Sequence, residues 1–400
     1  ANSFIPYNLR RGFGLPTYEH QDSVWAYHFY RLIRRAKQVS LLYDTRTTGL
    51  QTGEVSRFVH QLRYHYQYPL TDQLVVYDVV SSAVPPIIVQ KTAEVRRLLS
   101  DFLAGGSRAL SASAINAYLD CPLKFYFSAV EQIREEDEIT ETVERDVFGS
   151  ILHKVMEELY APFKGKMVTA DLLKLLRKDK ALLTGTIARA FAELFFKSPV
   201  VRPLEGKNFL TGEMIRKYVE KILEQDAHYT PFQYVESEKQ VRANLALGDG
   251  KVVQLKGFID RVDALDRVLR IVDYKTGNGK LVFDSVDGLF DKEAKDRPKA
   301  VMQVFLYAWM YRQLPVYNGM PIQPAIYFLR TLFLGTFDPV VLYKAHGKGE
   351  KVDSFEEFAS DFEDGLRRCL EEIFDPDLPF TQTETGKACA YCTFRGLCGK

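Results

Sequence analysis

Asp273 and Lys275 are the residues whose types and spacing first indicate chemistry, and they lie in the stretch IVDYKTGNGK, residues 271–280. The apolar pair before the aspartate is typical of the end of a buried strand, and TGNG is typical of a turn. Residues two apart on an extended chain point to the same face. A charge pair at the mouth of a strand must be solvated, paired or bound to a ligand. A strand-end ion pair is the simpler interpretation, and a catalytic pair is the alternative.

A second aspartate, Asp260, follows an apolar pair in the segment GFIDRVDA. If its strand pairs through a tight turn with the strand that carries Asp273, the two carboxylates approach each other at one end of the sheet. Two carboxylates that close repel each other unless a positive charge lies between them. A divalent cation such as Mg²⁺ or Mn²⁺ meets this need, because Mg²⁺ takes one or two carboxylates and completes its shell with water and phosphate oxygens. Lys275 would then orient the nucleophile or stabilise charge that develops on phosphate.

The helix-like segment FGSILHKVMEELY offers a third ligand. Its spacing places Gly149, His153 and Glu157 on one helical face. A single histidine is more often an ordinary surface or core residue, but beside two strand-end aspartates His153 becomes a candidate metal ligand. Glu157 is expected to orient a neighbouring group.

Gln303 and Tyr307 lie four residues apart in the helix-like segment PKAVMQVFLYAWMYRQL, so they also share a face. One interpretation makes them the polar edge of an amphipathic helix. The functional interpretation has them contact a phosphate backbone or steady Lys275.

The five cysteines fall into two groups. An odd count, in a chain whose N-terminus lacks the apolar core of a signal peptide, does not suggest a disulfide framework. Cys369 lies inside a predicted helix and is expected in the core. The other four follow the pattern C-x267-C-x2-C-x5-C, which by spacing alone could bind zinc or an iron–sulfur cluster. These four are Cys121, Cys389, Cys392 and Cys398.

The order of elements predicts a mixed α/β fold. Helical periodicity dominates from about 147 to 227, and short breaks between the next strands are suited to hairpins. The order is helix, three antiparallel strands, helix, strand. The predicted strands are 234–247, 252–265, 268–274 and 325–333, and the predicted later helices are 297–313 and 354–373.

The first part of the chain predicts a small α/β segment. Residues 24–45 predict an amphipathic helix that runs into a strand, LLYDT, and residues 56–66 predict a second helix. The runs QLVVYDVV and PIIVQ are β-rich. Because Gly105-Gly106-Ser107 is suited to a linker, we expect domains at 1–106 and 107–400.

Composition is that of a globular protein, with 46% hydrophobic and 26% charged residues, and 400 residues favour two or three domains. No apolar run of membrane-spanning length occurs and the N-terminus does not resemble a signal peptide, so we expect a cytoplasmic protein without a membrane partner. The net charge of +1 does not point to nucleic acid. Residues 1–110, however, carry 13 Lys+Arg and 8 Asp+Glu, and a neutral protein can still hold a basic channel.

Together, the motifs G-x3-H-x3-E, GFIDRVD, VDYKTG and Q-x3-Y resemble the PD-(D/E)XK nucleases of the RecB/AddB type over roughly 108–400. The resemblance implies a restriction-endonuclease-like αβββαβ core with helical additions. In that family the matching histidine and two aspartates bind the catalytic metal and the lysine acts in catalysis. A glutamate of VESEKQV lies where the family often has one and is expected to have a secondary role. The implied metal ligands are His153, Asp260 and Asp273, and the implied catalytic residues are Lys275, Asp273, Asp260, Gln303, Tyr307 and Glu238.

The cysteine pattern is similar to that of AddB-type nucleases, whose domain is closed by a 4Fe–4S cluster that joins the two ends of the chain. The resemblance implies a structural cluster, with Zn²⁺ as the alternative metal. Such a link removes loop-closure entropy and fixes the helices beside the active site.

Residues 1–106 look like the end of a superfamily 1 helicase core, in which an arginine-bearing helix precedes a strand and an SRF helix. The segment LIRRA lacks the threonine of the helicase arginine motif, and no GxxxxGKS or GxxxxGKT occurs, so no ATP site is expected. Arg34 and Arg35 are expected to be structural or to face DNA.

The resemblance therefore implies a Mg²⁺-dependent DNA exonuclease domain of an AddB-like helicase–nuclease subunit that acts in double-strand break repair and recombination. DNA, as single strands or duplex ends, would be the substrate, and an AddA/RecB-like helicase subunit would be the partner. The alternative is a catalytically silent DNA-binding scaffold that retains the nuclease fold. The intact ligand set argues against that alternative.

Overall fold

A computed structural model of the chain describes residues 5–45, 53–75, 85–134, 143–294, 296–335, 337–345, 347–383 and 386–399. The chain divides into two compact units, Ala1–Ser82 and Ala83–Lys400. The segment expected to be a linker lies inside the second unit, where Ala104 N donates to Val252 O at 2.8 Å. The division therefore falls before the predicted one at 106/107, and the helicase-like origin of the first part stays a prediction.

The regular secondary structure described in the first unit is helical. Its second and third helices pack through stacked rings of Phe29 and Phe58, 5.0 Å apart, and a hydrogen bond from Tyr30 Oη to Gln61 Oε1 of 2.6 Å. The predicted strand LLYDT is wrong, since these residues are irregular and no strand is described in this unit to pair with them. Most of QLVVYDVV lies outside the described residues. The helices are α1 (Tyr7–Gly12), α2 (Tyr18–Ile33) and α3 (Arg57–His60), the last continued by a π-helical turn, Gln61–His65.

A six-stranded sheet forms the centre of the second unit. Its order is β3-β4-β5-β6-β8, and a short strand, β2, pairs in parallel with β5. The pairs β3–β4, β4–β5 and β5–β6 are antiparallel, whereas β6–β8 is parallel. The strands are β2 (Leu110–Ser111), β3 (Met167–Val168), β4 (Phe232–Ala246), β5 (Val252–Leu265), β6 (Val268–Lys275) and β8 (Ile322–Phe328).

Five short strands lie outside or beside this sheet. Two of them, β1 and β11, form an antiparallel ribbon, and three others form a small sheet in the order β10-β9-β7. Their bounds are β1 (Ile88–Val89), β7 (Val282–Phe283), β9 (Leu342–Tyr343), β10 (Glu350–Lys351) and β11 (Phe380–Thr381).

Helices cover both faces of the central sheet and enclose two apolar cores. One core contains α5, α11 and α12, and the other contains α7, α9 and α10. No helix in the described ranges is long and apolar enough to cross a membrane. The helices are α4 (Ala93–Ser100), α5 (Ala112–Asp120), α6 (Pro122–Phe125), α7 (Arg145–Tyr160), α8 (Ala170–Lys178), α9 (Lys180–Leu194), α10 (Gly206–Ala227), α11 (Lys299–Tyr311), α12 (Ala359–Phe374) and α13 (Gly386–Ala390).

The predicted order of helix, three antiparallel strands, helix and strand is confirmed by α7, β4, β5, β6, α11 and β8. The two-residue turn Asp266-Arg267 joins β5 to β6, and both residues have positive φ, 48° and 65°. Such a turn matches the twist of the strands it joins. The hairpin sets the register in which the strand-end aspartates lie side by side.

Candidate active site

Three neighbouring strands bring three carboxylates to the same position in the sheet. β4 pairs Ser237 with Arg261 and Lys239 with Ile259, so Glu238 lies opposite Asp260. Since β5 pairs Arg261 with Val272 of β6, Asp273 lies at the next position, beside Asp260. Three acidic residues therefore line up across the sheet.

His153 reaches this row from α7. Its Nδ1 lies 3.4 Å from Asp260 Oδ1 and 3.6 Å from Glu238 Oε1, and its Nε2 lies 3.1 Å from Tyr274 O. One ligand atom from each of His153, Glu238 and Asp260 lies within 4.8 Å of the others. If Nε2 carries the proton for the carbonyl, Nδ1 presents a lone pair to two carboxylates. The two carboxylates need a positive charge beside them, which is either the protonated ring, since the pKa of His153 is raised, or a metal ion that replaces its proton.

Glu238 is held in a strained backbone conformation. Its φ is 45°, and the β4–β5 register shifts nearby, between Tyr234 and Glu236. A left-handed conformation at a residue other than glycine costs roughly 1–3 kcal/mol and persists only where the surroundings impose it. Strain of this kind clusters at functional sites, so it supports a role for Glu238 in the site.

Asp273 faces the Lys275 ammonium group with both carboxylate oxygens, and only one of them accepts hydrogen bonds. Its Oδ1 accepts hydrogen bonds from Lys275 Nζ at 3.0 Å and from Gln303 Nε2 at 3.2 Å. Its Oδ2 lies 2.9 Å from the same ammonium group but accepts no hydrogen bond, although the side chain is only 1% exposed. Gln303 also donates to Tyr307 Oη at 2.7 Å. A buried oxygen with an unused lone pair fits a metal ligand.

Gly257 explains how α11 comes close enough to place Gln303 and Tyr307. A Cβ at this position of the GFID motif would lie 2.7 Å from the Tyr307 ring and from Met310 Cε. Such contacts would push the helix away from β5, so only glycine allows this approach.

The charges of the site shift one another's pKa values. Burial raises the pKa of Asp273 to about 6, an effect that Lys275 opposes and Asp260 reinforces. Burial alone would lower the pKa of Lys275, but the carboxylates of Asp273 and Asp260 outweigh it and raise that pKa. Burial likewise would lower the pKa of His153, and Asp260 and Glu238 raise it overall. The site therefore holds excess negative charge, which favours any cation that enters.

The sequence pattern of the PD-(D/E)XK nuclease superfamily matches residues 109–399, which include this whole site. The chain belongs to the PD-(D/E)XK nuclease superfamily. Nucleases of this superfamily use a divalent metal, and the donor set of carboxylate oxygens and an imidazole suits Mg²⁺ or Mn²⁺.

Two bacterial relatives are named as B-type subunits of an ATP-dependent helicase/deoxyribonuclease. That of Carboxydothermus hydrogenoformans is 29% identical over 194 residues, 46% of this chain and 17% of the relative. That of Clostridium acetobutylicum is 24% identical over 197 residues, 44% of this chain and 16% of the relative. An uncharacterised protein of Rickettsia bellii is 26% identical over 170 residues, 42% of this chain and 18% of the relative. The chain thus spans less than a fifth of the length of each.

The converging atoms differ in one member from the metal ligands expected of the nuclease family. His153 and Asp260 lie together as expected, but the third member of the converging group is Glu238, while Asp273 is held by Lys275 and Gln303. The register of β4 was not readable from the sequence, so only a secondary role was expected for Glu238. Glu157, which was expected to orient a neighbouring group, is not part of this set, and its Oε2 lies 3.4 Å from Lys154 Nζ.

No sequence pattern predicted a second charged group in the nuclease domain. We call this group the buried arginine network. Arg261 bonds to Asp226 at 2.6 and 3.1 Å and to Asp263 at 2.8 Å, and Arg270 bonds to Asp263 at 2.9 Å. All four side chains are buried. Three buried phenols complete it. Tyr160 and Tyr327 donate to Asp226 at 2.6 and 2.7 Å, and Arg261 donates to Tyr274 at 3.1 Å.

Four of the five cysteines line one small cavity next to the nuclease core. Cys121 comes from the extended residue between α5 and α6, and the other three come from the C-terminal tail. Aromatic contacts hold the tail there, with Phe127 and Phe394 ring centres 5.3 Å apart. The fifth, Cys369, is buried in α12, as predicted. The four cavity-lining cysteines are Cys121, Cys389, Cys392 and Cys398.

Proposed function

We propose that this chain is a metal-dependent deoxyribonuclease domain that hydrolyses phosphodiester bonds. The observation that supports it most is the convergence of His153 Nδ1 with the carboxylates of Glu238 and Asp260, beside a buried Asp273 oxygen that lacks a hydrogen bond. Three carboxylates that face one lysine and one histidine leave an excess of negative charge, which a divalent cation would neutralise. Mg²⁺ or Mn²⁺ would be bound by His153, Asp260 and Asp273, with Glu238 as a further oxygen donor.

The bound metal would supply Lewis-acid chemistry to a phosphate and to a water molecule. Lys275 keeps its positive charge, because Asp273 and Asp260 raise its pKa. Its ammonium group can therefore stabilise the negative charge that builds on the phosphate oxygens. Gln303 fixes Asp273 from α11, and the Tyr274 carbonyl fixes the His153 ring from β6. Both contacts orient ligands before any substrate arrives.

The wider role proposed is that of an exonuclease domain in an AddB-like helicase–nuclease subunit that processes DNA double-strand breaks. The names of the two deoxyribonuclease relatives support DNA as the substrate and an AddA-like helicase subunit as the partner.

We further propose that the four clustered cysteines hold a 4Fe–4S cluster rather than Zn²⁺. The support for the cluster is the resemblance to AddB-type nucleases together with the cavity that brings Cys121 to the three cysteines of the tail.

Metal analysis of anaerobically purified protein tests the cysteine proposal. We expect about four irons per chain and a brown colour. One zinc per chain without iron would contradict it. Cys121→Ala should lose the iron and destabilise the domain, since metal binding is also folding energy, whereas Cys369→Ala should keep the iron and cost on the order of 1 kcal/mol.

Incubation of the purified chain with labelled single-stranded DNA and Mg²⁺ tests the nuclease itself. We expect cleavage by the native protein and none by Lys275→Ala. Lys154→Ala is the matched control, because Lys154 pairs with Glu157 and Glu193 on the helical side and not with the site carboxylates. Equal rates for the native protein and Lys275→Ala would refute the assignment. DNA binding without cleavage by the native protein would favour a catalytically silent scaffold.

A further inference from the structure

A large cleft opens beside the candidate active site and runs to the cysteine-bearing tail. Its volume is about 1030 Å³. Lys275 and Gln303 line one part of it, and Ala388, Ala390 and Tyr391 of the tail line another. The tail therefore forms a wall of the same cleft into which the catalytic lysine points.

Basic side chains outnumber acidic ones in the lining of the cleft. Five lysine and arginine side chains line it, against two aspartates, Asp120 and Asp296. Lys280 lies 3.7 Å from Asp296 and Lys299 lies 2.5 Å from Asp120, and both lysines are more than half exposed. The Lys280–Asp296 pair is exposed on both sides and contributes about 0–1 kcal/mol, so Lys280 can exchange its carboxylate for a phosphate at little cost. Lys299 can do the same, because Asp120 keeps Arg297 as its partner. The positive residues are Lys275, Lys280, Lys292, Arg297 and Lys299.

Tyr391 stands out on the tail wall. It is 98% exposed, more than any other large apolar or aromatic side chain in the described ranges. Its backbone is nevertheless held in place, because Cys392 N donates to Cys389 O at 3.3 Å and both cysteines line the cysteine cavity. An aromatic ring that is anchored at its base and bare on both faces is suited to stacking on a planar ligand.

We propose that the cleft is a nucleotide-binding subsite in which Tyr391 stacks on an unpaired base while Lys280 and Lys299 contact phosphates of the same strand. The proposal rests on the nuclease function proposed above and adds the tail as a second point of attachment for the substrate. Stacking between bases and aromatic side chains is worth about 1–3 kcal/mol per base and tolerates any sequence. In a duplex the base faces are already stacked on each other, so the subsite selects single strands.

Binding of a fluorescent oligothymidine to the full chain in EDTA, measured by anisotropy, tests the subsite without any cleavage. Tyr391→Ala should weaken binding about ten-fold, and Tyr391→Phe, which keeps the ring, should bind like the native protein. Leu397→Ala is the control for the tail, since Leu397 is exposed but does not line the cleft. Lys280→Gln should reduce the slope of log affinity against log salt by about 0.7, the value for one phosphate of a single strand.

A hydrolysis assay on the native protein separates this proposal from the nuclease assignment. A thymidine dinucleotide with Mn²⁺ is a substrate with only one phosphodiester, so its hydrolysis reports on the chemical step. If the native protein does not hydrolyse the dinucleotide but Tyr391→Ala still weakens binding, the nuclease function is contradicted and the stacking subsite is not. Native affinity in Tyr391→Ala, or equal loss in Tyr391→Phe, would overturn the stacking subsite. So would loss of cysteine-bound metal in Tyr391→Ala that Leu397→Ala does not share.

Discussion

Two charged groups share strands β5 and β6 and differ in their balance of positive and negative charge. In the buried arginine network, two arginines face two aspartates, with ion pairs of 2.6 to 2.9 Å. In the candidate active site, the carboxylates of Glu238, Asp260 and Asp273 face one lysine and one histidine. The balanced group is closed to solvent, whereas the unbalanced one adjoins an open cleft. On these strands, residues that face one side stabilise the fold, and the residues between them, which face the other side, form the candidate active site.

Tyr274 connects the two groups. Its phenol accepts a hydrogen bond from Arg261, its N–H donates to Asp260 Oδ2 at 2.7 Å, and its carbonyl lies 3.1 Å from His153 Nε2. The residue between Asp273 and Lys275 is thus fixed from the core side. The buried arginine network can therefore hold the ligands in place without touching a metal.

The largest effect is expected where the unbalanced group loses a ligand. Asp273→Asn should lower DNA cleavage about 10³-fold, because it removes a negatively charged oxygen from the proposed metal site. Circular dichroism should show a native spectrum and a cooperative thermal transition. A cleavage rate within ten-fold of the native one would place the metal elsewhere.

Removal of an arginine from the balanced group should instead damage the fold. Arg261→Met removes the arginine that pairs with Asp226 and leaves the charge of that buried carboxylate uncompensated, which typically costs 3–5 kcal/mol. Urea unfolding followed by circular dichroism measures the loss. The matched control is Arg189→Met, since Arg189 is half exposed and pairs with Glu158 at 3.0 Å, a kind of pair worth about 1 kcal/mol or less. Equal losses for the two variants would erase the distinction between the groups.

His153→Ala should weaken Mn²⁺ binding about 100-fold, while DNA binding in EDTA stays unchanged, because α7 supplies a ligand and not a phosphate contact. Isothermal titration calorimetry gives the metal affinity. His228, at the C-terminal end of α10 and away from the site, provides the control His228→Ala. Native Mn²⁺ affinity in His153→Ala would show that this histidine is not a metal ligand.

Metal affinity should also fall in acid. A carboxyl group binds metal only when ionised, and burial raises the pKa of Asp273 to about 6. Protons therefore compete with the metal as the pH drops through 6, and Mn²⁺ affinity should fall about ten-fold between pH 7 and pH 5. The raised pKa of His153 acts in the same direction. Calorimetry at both pH values checks this, and a flat profile would mean that neither group binds the metal.

The smallest effect should come from the link between the groups. Tyr274→Phe removes one hydrogen bond to Arg261 and should weaken Mn²⁺ binding about five-fold, with little change in DNA binding. Tyr160→Phe is the matched control, since it also removes one phenol bond of the network but has no backbone contact to the ligands. Both variants should lose about 1 kcal/mol of stability. If both variants lose the same metal affinity, Tyr274 has no specific effect on the ligands, and the network affects the metal site only through the stability of the fold.

Local patterns in the sequence predicted most of the fold. Strand β5 has the predicted bounds, 252–265, because its apolar alternation ends at clear turn residues on both sides. The alignment of Asp260 with Asp273 followed from the two-residue hairpin. The strand LLYDT failed, since a strand depends on a partner that a local pattern does not reveal.

The site was less readable than the fold, because its missing parts depend on distant residues. Glu238 comes close to His153 through a register shift and a positive φ that no residue type signals. The partner of Arg261 on strand β5, Asp226, lies 35 positions earlier on helix α10. The alternation of Asp260 and Arg261 did carry a signal, since an arginine on a buried strand requires a buried acid.

The ribbon between β1 and β11 can form only late in the synthesis of the chain. Val89 pairs with Phe380, so the first strand of the second unit leaves the ribosome long before its partner exists. At about 5–20 residues per second, the wait is about 15–60 s. Once Lys275 has been made, the growing chain has the ligand-bearing strands but neither its closing ribbon nor three of its four clustered cysteines. Nascent chains that stall within this window would present an open nuclease unit to chaperones and proteases.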